Sequence, residues 1–323
     1  MENKSGYFIL SLDTELGLGS FDKDQNRKKI FSPDGKKERE SIKLLLRMFE
    51  KYGVIATWAI VGHLFYEYCE GCEICPMRAW QGRFSSFEEV YKTKHPLWYG
   101  ADIVKMILSN KIEHEIAFHG YSHEVFNETT MSKKEAKTEI TEYLRVAKRF
   151  GVAPKAIVFP RDRVGHLSLF ERYGFRCYRS EEKTSIIFRN KYFGKYLKTA
   201  DHILGITTPP IYRLSDFECN GMVNLRASQH IFGFNRKVDR LLDSKNLSTL
   251  RIQRITRAIR KAAEENKVIH IWAHPWEFRT NSDFEKLETI LSCVANQVEK
   301  GRIQSVSMTE TANIIFDQQD SDR

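Results

Sequence analysis

The chain has 323 residues, 41% of them hydrophobic and 29% charged, ordinary proportions for a folded globular protein that exclude a disordered or fibrous one. No apolar run approaches the ~20 residues needed to cross a bilayer. No charged leader with an apolar stretch and small-residue cleavage site precedes the first strand-like run at Tyr7, so a cytoplasmic protein without a transmembrane segment is expected. The formal charge is +9 and the pI about 9.1.

Short β-rich runs alternate with amphipathic helices. The first run is 7–13. A helix over about 37–52 follows, with Ile42, Leu45, Leu46 and Phe49 on one face and Gly53 as its stop. A second apolar run, 54–61, comes next. The stretch 62–100 is too long for a simple connection and reads as an insertion over one end of the fold. Residues 112–119 form a third strand, and Ser132 with Glu135 makes a capping box for a helix reaching Phe150. Runs 156–160 and 175–178 flank a short helix near 167–173.

Residues 181–245 resist assignment and are expected to hold loops and an irregular strand pair. The alternation then returns with a helix from about Thr249, a strand over 268–273, a helix over 284–299, a strand over 303–307 and a last helix capped by Ser307 and Glu310. About seven strands alternating with helices predict one α/β domain spanning 1–323, a parallel sheet closed or nearly closed as a barrel. Within it, 181–262 is an irregular basic region.

In a parallel barrel the active site lies at the carboxyl ends of the strands. The first strand ends in Asp13-Thr14-Glu15, and side chains two apart share a face, so both carboxylates can point at one spot. The alternative for such a pair is a cap or turn. The third ends in His119-Gly-Tyr-Ser-His123. On a helical turn that spacing presents two imidazoles on one face, as a divalent metal requires. With a first-strand carboxylate it makes a two-His, one-carboxylate site able to polarise a carbonyl. The fourth strand ends in Phe159-Pro160-Arg161-Asp162, whose cation can orient a base; the alternative is a surface ion pair of little worth. The strand ending at Ala273 is followed by His274, placed as a general acid for a leaving amine, while His270 is expected in the core. Trp276, Trp98 and Tyr99 are candidates to face a sugar ring, although aromatics are more often simply packed.

These residues, in this order, resemble the polysaccharide deacetylase superfamily, the NodB-homology group or carbohydrate esterase family 4, over most of the chain. The resemblance rests on Asp13, His119-x-x-x-His123, Phe-Pro-Arg161 and His274-Pro275. It implies a distorted (β/α)7 TIM-like barrel and a divalent metal, usually zinc, on His119 and His123. It also implies Asp13 as the base, Arg161 holding that base and His274 protonating the departing amine. Where many members have adjacent aspartates, Thr14 follows Asp13 here, and Glu15 is the better substitute ligand because it shares the face of Asp13. The family's tryptophan-bearing fourth motif is not identifiable.

The expected activity is hydrolysis of the N-acetyl or N-formyl group of a sugar, in a glycan or in a nucleotide- or lipid-linked precursor. Alternatives are a cyclic-amide hydrolase of the same fold and a catalytically silent barrel binding an anionic glycan or lipid headgroup. The cations Arg226, Arg236, Lys237, Arg240, Lys245, Arg251, Arg254, Arg257, Arg260 and Lys261 could meet a phosphate-bearing partner. The plainer reading is a solvated helix face opposite Ile252, Ile255, Ile259 and Ala262, and no nucleic-acid partner is expected. Six cysteines do not make a disulfide framework in a chain this long. Cys69-x-x-Cys72-x-x-Cys75 has ligand spacing, with His63 or His95 to complete a set, but reduced thiols are the plainer reading.

Overall fold

The computed structural model describes residues 5–19, 31–32, 34–69, 72, 74, 96–182, 201, 205–232 and 248–321. Ten strands occur among them. They are β1 (Gly6–Thr14), β2 (Thr57–Ile60), β3 (Glu115–Phe118), β4 (Ala156–Val158), β5 (Cys177–Ser180), β6 (Cys219–Asn220), β7 (Met222–Arg226), β8 (Gln229–His230), β9 (Val268–Ala273) and β10 (Ile303–Ser305). The helices are α1 (Lys36–Tyr52), α2 (Ala101–Leu108), α3 (Lys133–Lys148), α4 (Leu167–Arg172), α5 (Ser248–Glu264), α6 (Asn281–Glu299) and α7 (Met308–Ser321).

The strands lie in the order β6-β7-β5-β4-β3-β2-β1-β9-β8, with β10 pairing β1 off this path. Every pairing is parallel except the short β6–β7 one. The two ends of this path are joined by the chain itself. β7 runs along β5, Ala227 N–H donates to Ser180 O (2.9 Å), Ser228 N–H donates to His270 O (2.7 Å), and β8 then runs along β9. One extended stretch, Met222–His230, therefore serves both edges and closes a ring in which it is the seventh strand position. The expected α/β barrel is present.

The membership of the ring differs from the sequence expectation. Residues 303–305 are not its seventh strand. They pair with the first residues of β1, Gly6 to Phe8, while the last residues of β1 pair with β2. The true seventh position lies in the stretch that resisted assignment, where the five residues of β7 run on into polar Ser228, Gln229 and His230 and the apolar pattern lapses. Most of 62–100 and 181–245 falls outside the described residues.

Side-chain alternation divides the core into two layers. Phe8, Leu10 and Leu12 of β1 pack outward with Ile42, Leu45 and Phe49 of α1 and with Ile255 and Ile259 of α5. Tyr7 and Ile9 point inward with Ala59, Ala117, Val158, Cys177, Val223 and Val268. Small residues on β2 and β3 leave room for the large ones opposite. Met308, Ala312 and Ile315 of α7 join this inner cluster and plug the end where the strands begin. There the first residue of β3, Glu115, accepts the N–H groups of Met308 and Thr309.

α5 is amphipathic as expected, with Ile252, Ile255, Ile259 and Ala262 buried. Two of its cations are buried as well, against the expected solvated face. Arg251 is covered, and Arg254 donates to Gln229 Oε1 (2.7 Å) and Thr207 O (2.7 Å) and pairs with Asp201 (3.1 Å). A buried guanidinium is tolerated only with such partners. Arg236, Lys237, Arg240 and Lys245 lie outside the described residues.

Gly6 is where β1 passes closest to α5. A Cβ there would collide with the carbonyl oxygens of Ala262 and Lys267, both backbone atoms that cannot swing away. Gly6→Ala is expected to lower stability by about 1–3 kcal/mol, read as a lower urea midpoint at unchanged slope.

Candidate active site

Inside the barrel the inward row of each strand turns polar toward its carboxyl end. On β1, Tyr7 and Ile9 give way to Ser11 and Asp13, and Glu15 lies just past the strand; all three polar groups are buried. On β9, Val268 gives way to His270, Trp272 and then His274. On β5, Cys177 gives way to Arg179.

Arg179 is 1% exposed and holds Asp13 in a two-pronged pair, Nη1 to Oδ1 at 2.6 Å and Nη2 to Oδ2 at 2.7 Å. It also donates to Ser11 Oγ (3.1 Å) and Asp162 Oδ1 (3.0 Å), and its guanidinium lies 4.2 Å from the centre of the Trp272 ring. Ser11 Oγ in turn meets His270 Nε2 at 2.9 Å. Burial, and then Arg179, push His270 down to about 3, so it is a neutral member of this column. Burial alone would raise Asp13, but Arg179, then His119 and His274, outweigh it and keep the carboxyl below its ordinary range. The cation on Asp13 is thus Arg179 and not Arg161, a correction to the expected tether. Arg161 sits in a tight turn at φ 58°, and the same segment contributes Asp162 to the network. Arg179 could have been found by the strand-end rule, since it lies two residues after a buried Cys177 on a strand.

Glu15 stands between the two histidines. Its Oε2 is 2.9 Å from His123 Nε2 and 3.6 Å from His119 Nε2, and the three donors lie within 4.8 Å of one another. His123, His119 and His274 outweigh burial and hold Glu15 well below the usual carboxylate range. His119 Nδ1 meets Val158 O at 2.7 Å, which assigns the proton to Nδ1 and turns Nε2 to the centre. The Nε2 atoms of His119 and His123 are both buried without an aligned hydrogen bond. Two orphaned imidazole nitrogens converging on one ionised carboxylate oxygen fit a divalent metal.

The two histidines do not share a helical turn, as their spacing led us to expect. Residues 119–127 are irregular, with Gly120 at φ 73° and His123 at φ 66°, and this reversal sets the rings 5.0 Å apart. At Gly120 a Cβ would press on Pro160 and the backbone of His123. Buried Glu139 of α3 pins the loop by accepting the N–H groups of Tyr121 (2.7 Å) and Ser122 (3.1 Å) and the Ser122 hydroxyl. Sequence reading passed over it, although it is a charged residue on the apolar face of Ala136, Ile140 and Tyr143.

His274 Nε2 lies 3.9 Å from Glu15 Oε1, and its Nδ1 is 3.1 Å from Glu277 Oε2. That oxygen also accepts the His274 N–H (2.8 Å) and meets His230 Nε2 (2.9 Å). Burial pushes His274 down, but Glu277, then Glu15 and Asp13, bring it up to about 9. Trp276 is half-buried, 5.0 Å from the His274 ring and 5.8 Å from Phe31. It borders a cavity of about 490 Å³ with Phe31 and Arg279. Trp98 and Tyr99, offered as sugar-facing, are instead 1% and 3% exposed; they are core residues, packed around His63. Cys75 and His95 lie outside the described residues.

Residues 28–174 match the family model described as polysaccharide deacetylase. The histidine pair falls inside that segment; Asp13 and His274 fall outside it. Among solved structures, one assigned as a polysaccharide deacetylase from Mycobacterium smegmatis aligns at TM-score 0.59 and 12% identity, covering 99% of this chain and 93% of that one. Another so assigned, from Pseudomonas aeruginosa PAO1, aligns at 0.51 and 12%, covering 95% and 89%. PuuE allantoinase aligns at 0.50 and 12%, covering 95% and 88%. A search of curated proteins by sequence returned no match. The family match thus covers residues 28–174, and the whole chain shares the barrel fold of the solved structures assigned as polysaccharide deacetylases.

Burial raises Glu139 from the usual 4.5 to about 7 despite its three donors. Between those values the folded state holds a proton that the unfolded state has lost, so stability falls as pH rises across the window. The loss is roughly 3 kcal/mol at about 1.4 kcal/mol per pH unit. Glu139→Gln should flatten that slope, so urea unfolding at pH 5 and pH 8 should show the variant gaining on wild type by this amount.

Proposed function

We propose that the chain is a metal-dependent amide hydrolase that removes an acetyl or formyl group from the nitrogen of a sugar, in a glycan or a nucleotide- or lipid-linked precursor. The observation that carries the reading is the convergence of His119, His123 and Glu15 on one point, with Asp13 and His274 on either side. Glu15, His119 and His123 would hold a divalent ion, zinc by the character of the donors. Such an ion supplies a Lewis acid for the acyl carbonyl.

The chain's own residues do the rest. Asp13 takes a proton from the attacking water. Arg179 occupies one acceptor position on each of its oxygens, and a carboxylate has about four such positions in all, so capacity remains for that proton. Arg179 also fixes its orientation and keeps it ionised. His274, with Nδ1 on Glu277, is protonated near neutral pH and turns Nε2 toward the site. As the carbon–nitrogen bond breaks, that proton passes to the leaving amine, giving a carboxylic acid and a free amino sugar. Trp276 offers a face to the sugar ring beside His274.

The test pairs metal content with leaving-group dependence. His119→Ala should remove one equivalent of divalent metal per chain and abolish release of acetate or formate from N-acylated sugars. His274→Asn should lower kcat on the amide by about 10²–10⁴, and much less on an acetate ester of an acidic phenol, whose leaving group needs no proton. Undiminished release from His119→Ala, or equal loss on amide and ester, would overturn the assignment. Turnover of cyclic ureides in place of acetylated sugars would move the substrate to ring amides.

A further inference from the structure

Behind the ligand loop is a second group of donors that the proposed chemistry does not use. His63 lies in the short turn Gly62–Phe65 that follows β2, and it is fully buried. Cys69 is buried and Cys72 half-buried, both as thiols. One donor atom from each of the three lies within 4.8 Å of the other two. We propose that His63, Cys69 and Cys72 form a second metal site, of the thiolate-rich zinc type, whose role is to brace the loop carrying His119 and His123.

Three features support a metal over chance proximity. The donor types are right, since thiolates with imidazole select zinc among the common divalent ions, and an iron–sulfur cluster needs more thiolates than the two this group offers among the described residues. The His63 ring is oriented from behind, as ligating histidines are. Its Nδ1 meets Trp98 O at 3.3 Å, which leaves Nε2 as the ligating nitrogen and repeats the arrangement of His119 on Val158 O. The charge also balances. Binding one divalent ion releases two thiol protons to solvent, and two thiolates, one neutral imidazole and the ion sum to zero. A neutral complex suits surroundings made of the Tyr66, Tyr99 and Tyr121 rings, 5.6, 5.6 and 6.0 Å from that of His63. The half-buried Cys72 gives the ion a route in.

The bracing follows from the backbone. Gly62 N–H donates to Gly120 O and His63 N–H to Tyr121 O, both at 2.9 Å. Those carbonyls lie between the two active-site histidines. An ion tying His63 to Cys69 and Cys72 would therefore fix the far side of the loop whose near side Glu139 holds.

The experiment uses the full chain stripped of metal by chelation and reloaded with cobalt(II) or zinc. Cobalt should give a thiolate-to-metal charge-transfer absorption in the near ultraviolet. That band should persist in His119→Ala and vanish in Cys69→Ser and Cys72→Ser. Zinc should bind at two equivalents per chain in wild type and at one in each single variant. Should a serine variant fail to fold, alkylation of the wild-type thiols decides: zinc should slow labelling of Cys69 and Cys72 by about tenfold or more, because a ligated thiolate is withheld from reaction. Absence of the band, its survival in Cys72→Ser, labelling indifferent to zinc, or a Cys69–Cys72 disulfide in protein kept from air would each overturn the proposal.

Discussion

A guanidinium taken out of water at the centre of a barrel must find its counter-charges there, and the position of Arg179 sets the rest of the interior. It binds Asp13 on both oxygens, reaches Asp162 and Ser11, and lies against the Trp272 ring. Breaking such a buried pair from one side costs about 3–5 kcal/mol, because the abandoned charge stays buried. The pair also joins β1 to β5, which are not neighbours in the sheet. The same contact thus spans the barrel and decides where the Asp13 carboxylate can point.

Above that layer, two of the histidines are positioned from behind by a group that leaves the other nitrogen facing inward. Val158 O does this for His119 and Glu277 for His274. Glu277 also collects His230 and the His274 N–H, so a single carboxylate organises the end of β9 much as Arg179 organises the end of β1. The outcome is a set of opposed electrostatic environments a few ångströms apart. Asp13 and Glu15 are held ionised, His270 is held neutral, and His274 is held protonated. Protonation states are separated by those environments, not by residue type.

Much of this was legible in the sequence because the signals were local. Strand ends are places where a period-2 apolar run stops, so Asp13, Glu15, His119 and His274 could be singled out without coordinates. The seven-position barrel followed from alternating periods. What stayed hidden was pairing across the sheet. Nothing in Phe159-Pro160-Arg161-Asp162 tells that the aspartate, not the arginine, would join the network, since φ 58° at Arg161 is a tertiary outcome. A His-x-x-x-His spacing fits a helix and a reversed loop equally well, and only the left-handed backbone at Gly120 and His123 decides. Trp98 and Tyr99 show that an aromatic pair has no readable direction until its surroundings are known. The double-edged strand escaped because its second half, through Ser228, Gln229 and His230, is polar and carries no apolar period.

The place of β1 in the ring has a consequence for how the molecule is made. β1 pairs with β2, but its other edge belongs to β9, with Tyr7 against Val268, and its first residues to β10, with Gly6 against Ile303. Contacts so distant along the chain close late and slowly, after the loop between them has lost its freedom. Until β9 and β10 have been synthesised, the strand bearing Asp13 and Glu15 lacks its partners on that side. The surroundings of Asp13 and Glu15 therefore form only once β9 is in place, and a chain stopped short of β9 would hold these carboxylates on an open edge, exposed to the wrong strand.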